Sequence, residues 1–523
     1  MSYYLGFDSG TQSLTATVIE IAGDRRAIVL EHTVPFDDAF PEYGTTHGVL
    51  RSQADGSVVA PPAMWAAALD RAAGWLSGSG LDLSRIRAVA GSAQQHGSVY
   101  LAAGAAARLG DFDPARPLAE HVARILARSL SPVWLDASTR ADCDRLTADL
   151  GGDAAVARLT GSRVHARFTA AQIRKFARAD PEAYAGTERI HLVSSFMASL
   201  LAGRHAPLEP GDASGMNLMD LERRRWARAA LDATAPDLEG KLPAIRPSWT
   251  VVGELSAYWQ RRHGFGPARI VAWSGDNPSS LIGLGLVHPG HLGISLGTSD
   301  TVFGAIERPD PDPSFAGHVF GSPAGGYMAL TCFSNGSLAR EHIRDEHGLD
   351  WDGFSAALRA TPAGNGGGLM LPWFVPETTP AVLRPAVQRY RLDPADGARN
   401  VRAVVEAQAM AMRLHSRWFA PRVETIRATG GASVNRDVLQ VIADVFGADL
   451  IRVTPRNAAS LGAALRAFHA VRHAEGDPVG WDDVMAGFTG PAAGPRVQPD
   501  PAATAAYAAL LPSYEALEAG ATG

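Results

Sequence analysis

Leu292–Thr301 reads LGISLGTSDT and Leu5–Leu14 reads LGFDSGTQSL, at an offset of 292 − 5 = 287 residues. In both stretches an apolar segment, a Gly-Thr turn and a second apolar segment follow one another, a pattern typical of a β-hairpin. The first copy carries Asp8 where the second carries Ser295. Because both hairpins fall at equivalent places in mixed α/β patterns, duplication of one domain is the simplest account.

The length of the chain also indicates two domains, since 523 residues exceed what one hydrophobic core usually organises. The 46% apolar content, 20% charged content and formal net charge of −6 provide no overall basic field for nucleic acid or anionic lipid. Cys143 and Cys332 form neither a disulfide framework nor a metal motif, and the N-terminus lacks the pattern of a signal peptide. We therefore expect a cytoplasmic protein without a nucleic-acid or membrane partner.

Lysine usage excludes two classes of nucleotide-binding protein. The only lysines are Lys175 and Lys241. A P-loop requires GxxxxGK[ST], but Lys241 is followed by Leu242. A protein kinase requires a strand lysine beside a glycine-rich loop, and Lys175 falls in a predicted helix with no such loop before it.

The hairpins themselves suggest phosphate binding. A Gly-Thr turn allows close approach of the backbone and offers N–H groups and a hydroxyl to phosphate oxygens. Two such turns that face one cleft could hold a polyphosphate from both sides. Asp8 adds a carboxylate for Mg²⁺, which is usually held through water because this ion dehydrates reluctantly. One metal ion needs one such carboxylate, so Ser295 in the second copy is no loss.

Further stretches match a known family, namely SAQQHGSVY, SPVWLDAST, LTGSRVHARFTAAQI, LVSSFMASL, GDASGMNLMDL, SGDNPSSL, CFSNGSLAR, ATGGASVNRDVLQVIADVFGA and ALLPSYEALE. With the two hairpins they resemble the FGGY family of carbohydrate kinases, in the actin-like ATPase superfamily, and most of all its xylulose-phosphorylating members of the type also found in animals. The resemblance implies an α/β fold of two duplicated actin-like (ribonuclease H-like) ATPase domains with a cleft between them. We predict a sugar-binding domain over residues 1–250, a nucleotide-binding domain over 251–475 and a peripheral tail over 476–523.

The resemblance also implies roles for individual residues. Asp212, in GDASGMN, matches the general base that accepts the proton of the sugar hydroxyl. The implied sugar contacts are Gln95, His96, Trp134, Asp136, Arg167, Asp276 and Asn277. The implied ATP contacts are Thr11, Gln12, Gly297 and Thr298 at the phosphates and Trp351, Gly430, Gly431, Ala432 and Asn435 at the adenosine, with Asp8 at the metal. Asp276 could also begin a helix as its N-cap, with Pro278 in the first turn.

The reaction implied is ATP- and Mg²⁺-dependent phosphorylation of D-xylulose at its C5 hydroxyl, giving D-xylulose 5-phosphate, by a monomer or homodimer. Two alternatives remain at this stage. One is a kinase of the same mechanism for another ketose or polyol, such as D-ribulose or an alditol. The other is a nucleotide-switched protein of the same superfamily without sugar-dependent turnover.

The sequence also predicts a loop at Pro207–Gly215, a linker at Pro243–Glu254 and one short helix near Thr504–Leu511 in the tail.

Overall fold

A computed structural model describes residues 2–23, 25–453, 457–489 and 496–522. Its strands are labelled in chain order: β1 (Ser2–Ser9), β2 (Ser13–Ala22), β3 (Arg25–Pro35), β4 (Leu50–Arg51), β5 (Val58–Ala60), β6 (Ile86–Ala93), β7 (Ser98–Ala102), β8 (Ser131–Pro132), β9 (Thr187–Leu192), β10 (Met219–Asp220), β11 (Arg225–Trp226), β12 (Val251–Glu254), β13 (Arg269–Val271), β14 (Ser274–Gly275), β15 (His291–Leu296), β16 (Asp300–Ile306), β17 (His318–Gly321), β18 (Tyr327–Phe333), β19 (Leu369–Pro372), β20 (Val387–Tyr390), β21 (Thr425–Thr429), β22 (Asp449–Arg452) and β23 (Arg496–Val497).

The α-helices are labelled in the same way: α1 (Phe36–Ala39), α2 (Pro62–Gly78), α3 (Ala105–Leu109), α4 (Leu118–Ala123), α5 (Arg140–Asp149), α6 (Asp153–Thr160), α7 (Thr169–Ala179), α8 (Pro181–Ala185), α9 (Val193–Ala202), α10 (Pro210–Ala213), α11 (Arg228–Thr234), α12 (Leu238–Lys241), α13 (Ala257–His263), α14 (Asp276–Gly283), α15 (Ser337–Glu346), α16 (Trp351–Ala360), α17 (Gly397–Ser416), α18 (Arg436–Phe446), α19 (Ala458–Ala474), α20 (Trp481–Met485) and α21 (Pro501–Thr522). Short 3-10 helices occupy Pro41–Tyr43, Leu83–Arg85, Ser214–Met216, Asn365–Gly367 and Gly431–Val434. None of the helices in these described ranges is long and apolar enough to cross a membrane.

Two seven-stranded sheets repeat one topology. The first has the order β3-β2-β1-β6-β13-β12, with β14 also pairing with β6, and the second has the order β17-β18-β16-β15-β21-β22-β23. In each, the predicted hairpin (β1–β2 or β15–β16) is antiparallel, and its first strand pairs in parallel with the next central strand (β6 or β21). The duplication inferred from the two Gly-Thr turns is therefore confirmed at the level of strand order. We call the parts built on these sheets the first half and the second half.

Helices cover both faces of the central strands, which explains why those strands are apolar on both sides. In β1, Tyr3–Phe7 are all buried. One face of the first sheet packs with α2 and α9 in a core that includes Trp65, Phe196 and Trp273. The opposite face packs against α19, where the rings of Tyr4 and Phe468 meet edge to face at 5.2 Å.

Helix α19 belongs to the first half although it follows the second sheet in the chain. It packs on β1, β2 and β6 and crosses α14. At the crossing, a Cβ on Gly283 would lie 1.9 Å from the Ala458 carbonyl oxygen, and a Cβ on Gly462 would lie 2.0 Å from that of Ser279. Only glycine allows the two backbones to approach this closely.

The sheet pairing corrects three predictions about chain organisation. Strands β12, β13 and β14 belong to the first sheet, so the division between the halves follows α14 and does not lie at residue 250. The expected linker over Pro243–Glu254 therefore ends in a strand, and the expected loop over Pro207–Gly215 contains α10.

The predicted peripheral tail is more structured than one short helix. It adds β23 to the edge of the second sheet and ends in the 22-residue helix α21. Tyr507 and Tyr514 of this helix are buried in the core of the second half. The full length of this helix was not predicted, because the segment is rich in alanine and few large apolar residues mark its packing face.

Candidate active site

A cavity of about 410 Å³ lies between the two halves. Its lining includes seven residues that the sequence singled out, namely Thr11, Gln95, His96, Trp134, Arg167, Asp276 and Asn277. The second half contributes Ser299, Thr301, His318, Phe320, Leu330, Cys332, Phe333, Ser334 and Thr378. Both Gly-Thr turns reach this cavity, through Thr11 of the first and Ser299 of the second.

Asp276 is the carboxylate that lines this cavity. It is the first residue of α14 and directly follows β14, which pairs with β6. The end of β14 therefore places Asp276 at the cleft. Its Oδ1 accepts hydrogen bonds from the Asn277 backbone N–H at 2.8 Å and from Asn277 Nδ2 at 3.1 Å. Asn277 Nδ2 also donates to Gln95 Oε1 at 3.0 Å, which fixes the amide group of Asn277. Burial raises the pKa of Asp276 to about 6.

His96 forms one wall of the cavity in a left-handed backbone conformation, with φ of 70°. Its Nδ1 lies 2.7 Å from the Gly215 carbonyl oxygen, which can only accept, so the proton resides on Nδ1 and Nε2 is an acceptor. A Cβ on Gly215 would lie 2.8 Å from this Nδ1. The ring stacks on Phe168 at 4.2 Å, and burial, followed by the charge of Arg167, lowers the pKa of His96 to about 3. His96 is therefore a neutral, rigidly held hydrogen-bonding group.

Asp8 lies beside Asp276, close enough for their negative charges to interact. Burial and that charge raise the pKa of Asp8 to about 7, although Ser92 Oγ donates to its Oδ1 at 2.7 Å. A divalent cation would relieve this repulsion, and carboxylate oxygens are the ligands that Mg²⁺ prefers. Among the described residues no group of three or more His, Cys, Asp or Glu side chains could hold a metal ion. Asp8 could hold a Mg²⁺ ion there, with water and phosphate oxygens as the other ligands.

Asp212 does not reach the cavity. Its side chain is 0% exposed, Ser194 Oγ donates to its Oδ2, and its Oδ1 is buried without a hydrogen-bond partner in the described structure. Burial, with further contributions from Glu209 and Asp276, raises its pKa well above the usual range. Asp276 therefore lines the cavity, whereas Asp212, the residue predicted as the general base, does not.

Asp136 and Gln12 are also predicted contacts that do not line the two cavities. Asp136 is buried away from the cavity, where Oδ1 accepts from the Ser138 backbone N–H at 2.8 Å and Oδ2 accepts from the Val58 N–H at 3.0 Å. It therefore organises the loop that presents Trp134. Gln12 is exposed in the first turn and lines neither cavity. The Trp134 indole N–H instead donates to Thr11 Oγ1 at 2.8 Å, which ties the loop that carries Trp134 to the first turn.

A second cavity, of about 800 Å³, lies in the second half. Five predicted ATP contacts line it along with Asn435, namely Gly297, Thr298, Trp351, Gly431 and Ala432. Asn435 caps α18 through Oδ1, and its Nδ2 donates to Ser355 Oγ at 2.8 Å. Gly430 stands just before the lining residues with φ of 90°, and a Cβ there would lie 2.4 Å from the Leu296 carbonyl oxygen.

The second Gly-Thr turn is held by a buried ion pair that the sequence did not reveal. Asp300 closes the turn, and Arg340 donates to its two carboxylate oxygens at 2.9 and 3.1 Å. Arg340 also donates to Gln408 Oε1 at 2.7 Å, so the turn is tied to α17. This fixes the position of Gly297 and Thr298 in the wall of the larger cavity.

Glu377 holds a loop in the wall of the smaller cavity in a similar way. Its carboxylate accepts the backbone N–H groups of Ser334, Asn335 and Thr378 at 2.5, 3.2 and 2.7 Å. The hydroxyls of Ser334 and Thr378 lie 2.7 Å apart on the cavity wall. These residues were missed because nothing in their local sequence signals that distant loops meet. The motif CFSNGSLAR was the one signal that could have led to Ser334.

Comparison with known proteins gives consistent matches. The FGGY family of carbohydrate kinases matches residues 126–283 with its N-terminal domain and residues 292–471 with its C-terminal domain. The chain is 42% identical to the xylulose kinase of Mus musculus, covering 98% of this chain and 93% of the relative. It is 42% identical to xylulose kinase 2 of Arabidopsis thaliana, covering 90% and 87%. The crystal structure of a ligand-bound xylulose kinase from Lactobacillus acidophilus shares the fold, with a TM-score of 0.82 at 18% identity over 100% and 99% of the two chains.

Proposed function

Because the chain belongs to the FGGY family of carbohydrate kinases, we propose that it transfers the γ-phosphoryl group of ATP to the C5 hydroxyl of D-xylulose. The products would be D-xylulose 5-phosphate and ADP. The choice of sugar rests on the relatives from mouse and Arabidopsis, both xylulose kinases at 42% identity. The choice of chemistry rests on the arrangement of the two cavities.

One observation carries the proposal. The second Gly-Thr turn borders both cavities. Gly297 and Thr298 line the larger cavity, and the next residue, Ser299, lines the smaller one. A phosphoryl group that leaves a nucleotide in the larger cavity therefore passes this turn to reach an acceptor in the smaller one. The Thr298 hydroxyl and the backbone N–H groups of the turn supply the donors that such a group needs.

On the nucleotide side, the geometry supports a base stacked on Trp351, whose side chain is 42% exposed and lies under the Arg344 guanidinium at 4.6 Å. The Gly430-Gly431 backbone would approach the ribose, because no side chain blocks it. Asn435 is oriented by Ser355 and by its cap on α18.

On the sugar side, the substrate hydroxyls would meet groups of defined polarity. His96 offers an acceptor at Nε2, Arg167 offers charged N–H donors, and the Asn277 amide is oriented by Gln95. A site whose donors and acceptors are fixed in advance discriminates against sugars that lack a matching hydroxyl, because an unpaired buried polar group is costly.

Asp276 would act as the general base. As the sugar oxygen attacks the γ-phosphorus, its O–H bond breaks, the proton passes to the Asp276 carboxylate, and the bond from phosphorus to the ADP oxygen breaks. A pKa of about 6 keeps the group ionised at neutral pH yet basic enough to take a proton. Asp8 would hold Mg²⁺ through water, and that ion, when bound, neutralises charge on the phosphate oxygens.

The test is ADP release by the purified protein with ATP and Mg²⁺, measured without sugar and with D-xylulose, D-ribulose, xylitol or glycerol. We expect D-xylulose to raise the rate by ~10²-fold or more over the sugar-free rate. Without the sugar, no hydroxyl group is bound from which the base could remove a proton. ³¹P NMR of the product identifies the phosphorylated carbon. Stronger stimulation by another sugar would replace D-xylulose as the substrate, and the same basal rate with every sugar would refute a kinase.

A further inference from the structure

The histidine that contacts Arg167 in the wall of the smaller cavity has no role in the reaction as described so far. We propose that His318, from the second half, is a positioning residue that fixes the Arg167 guanidinium against the sugar. Sugar affinity would then depend on a contact between the halves as well as on the first half. The inference rests on the proposed function, because it concerns the sugar that Arg167 would bind.

The contact has a defined polarity. Arg167 Nη2 lies 3.1 Å from His318 Nε2, and a guanidinium can only donate, so Nε2 accepts. The His318 proton therefore resides on Nδ1, which lies 3.1 Å from Ser162 Oγ and donates to it. Ser162 and Arg167 belong to the first half, so one imidazole from the second half connects two residues of the first.

Arg167 depends on this acceptor. In the part of the chain that the structure describes, no carboxylate forms an ion pair with it, and its Nε is buried without a hydrogen-bond partner. Arginine side chains lose much rotamer freedom when they are fixed. Without Nε2 of His318, the guanidinium would have to be ordered by the sugar itself, at a cost to sugar affinity.

The imidazole is itself held rigidly. Its side chain is 1% exposed, its ring is nearly parallel to that of Phe320 at 5.6 Å, and the edge of His165 meets it at 4.7 Å. The next residue, Val319, donates its backbone N–H to the Gly161 carbonyl oxygen at 2.9 Å, which anchors β17 to the first half. A rigid acceptor of this kind can define the direction of a flexible donor.

The test compares steady-state kinetics of wild type, His318→Leu and His318→Gln. We expect His318→Leu to raise the KM for D-xylulose about tenfold, the size of one charge-assisted hydrogen bond, while the KM for ATP changes less than about twofold. His318→Gln keeps an acceptor near the position of Nε2 and should restore the sugar KM to within about threefold of wild type. An unchanged sugar KM in His318→Leu would overturn the inference.

A double-mutant cycle separates positioning from general packing. If His318 acts through Arg167, His318→Leu should have no further effect on the sugar KM in an Arg167→Met background. Additive effects, or a parallel rise of both KM values, would refute the inference. Ser162→Ala removes the acceptor of the His318 Nδ1 proton with little change in volume, and it should raise the sugar KM by about threefold. This variant replaces His318→Leu in the test if His318→Leu does not fold. Wild type without sugar-dependent turnover would instead refute the proposed function.

Discussion

Exchanging the cavity carboxylate for an amide tests the mechanism most directly. Asp276→Asn keeps an oxygen that can accept the Asn277 backbone N–H now held at 2.8 Å, but it removes the charge and the proton acceptor. General bases contribute about 10²–10⁴-fold to turnover, so we expect kcat to fall by about 10³-fold. The KM values for both substrates should stay within about fivefold, because shape and hydrogen bonding are preserved.

The matched control is the buried carboxylate that sequence reasoning favoured. Asp212→Asn should keep kcat within about fivefold of wild type, because burial and the raised pKa already favour a neutral Asp212. The assay is ADP release at saturating D-xylulose, with ATP binding and thermal unfolding measured for both variants. A kcat of Asp276→Asn within tenfold of wild type, or an equal loss in Asp212→Asn, would refute the assignment of Asp276 as base.

The pH profile offers a second readout of the same group. Burial raises the pKa of Asp276 to about 6, and only its ionised form can accept a proton. At saturating Mg²⁺, which keeps Asp8 ionised, the wild-type kcat/KM for the sugar should therefore be constant above that value and fall about tenfold per pH unit below it. If kcat/KM instead begins to fall only near pH 4, the usual range of an exposed carboxyl, the group that titrates is not a buried Asp276.

Three further variants test other parts of the site and fold. Asp8→Asn should raise the Mg²⁺ concentration for half-maximal rate by about tenfold at saturating sugar, because a carboxylate beside the metal is lost; an unchanged Mg²⁺ requirement would exclude Asp8 from the metal site. Trp351→Ala should raise the KM for ATP about tenfold with the sugar KM unchanged, since the adenine loses its stacking surface; equal changes in both would argue against that contact. Gly91→Ala should destabilise the protein by about 1–3 kcal/mol, measured by urea unfolding, because its Cβ would lie 2.1 Å from the Trp273 ring. The control is Gly78→Ala, whose Cβ would meet nothing within 4 Å and which should leave the unfolding midpoint unchanged or slightly raised.

The fold could be predicted because its defining signal is local and repeated. Each Gly-Thr turn lies between two apolar strands, and the strand orders of the two sheets agree with the duplication read from them. The same local signal could not show that β12, β13 and α19 complete the first half, because these elements join it through long-range packing.

The candidate site was predicted in part for the same reason. His96, Arg167 and Asn277 lie in recognisable motifs and line the cavity. Asp212 and Asp276 both follow glycine in polar motifs, and only their burial distinguishes them. His318 and Thr378 reach the cavity from strands and loops of the second half, so no spacing in the sequence relates them to the first.

The position of α19 has a consequence for how the chain folds as it is synthesised. A ribosome completes the strands of the first sheet by residue 275, yet the helix that covers Tyr4, Ile19 and Ala88 is made only after almost the whole second sheet. One apolar face of the nascent first half therefore stays exposed to solvent until the chain between Gly275 and the end of α19, at Ala474, has been synthesised. Fragments that end after α14 should aggregate when expressed alone, and adding α19 as a separate peptide should rescue them. In this protein the half that is synthesised first is therefore completed only after most of the second half has been made.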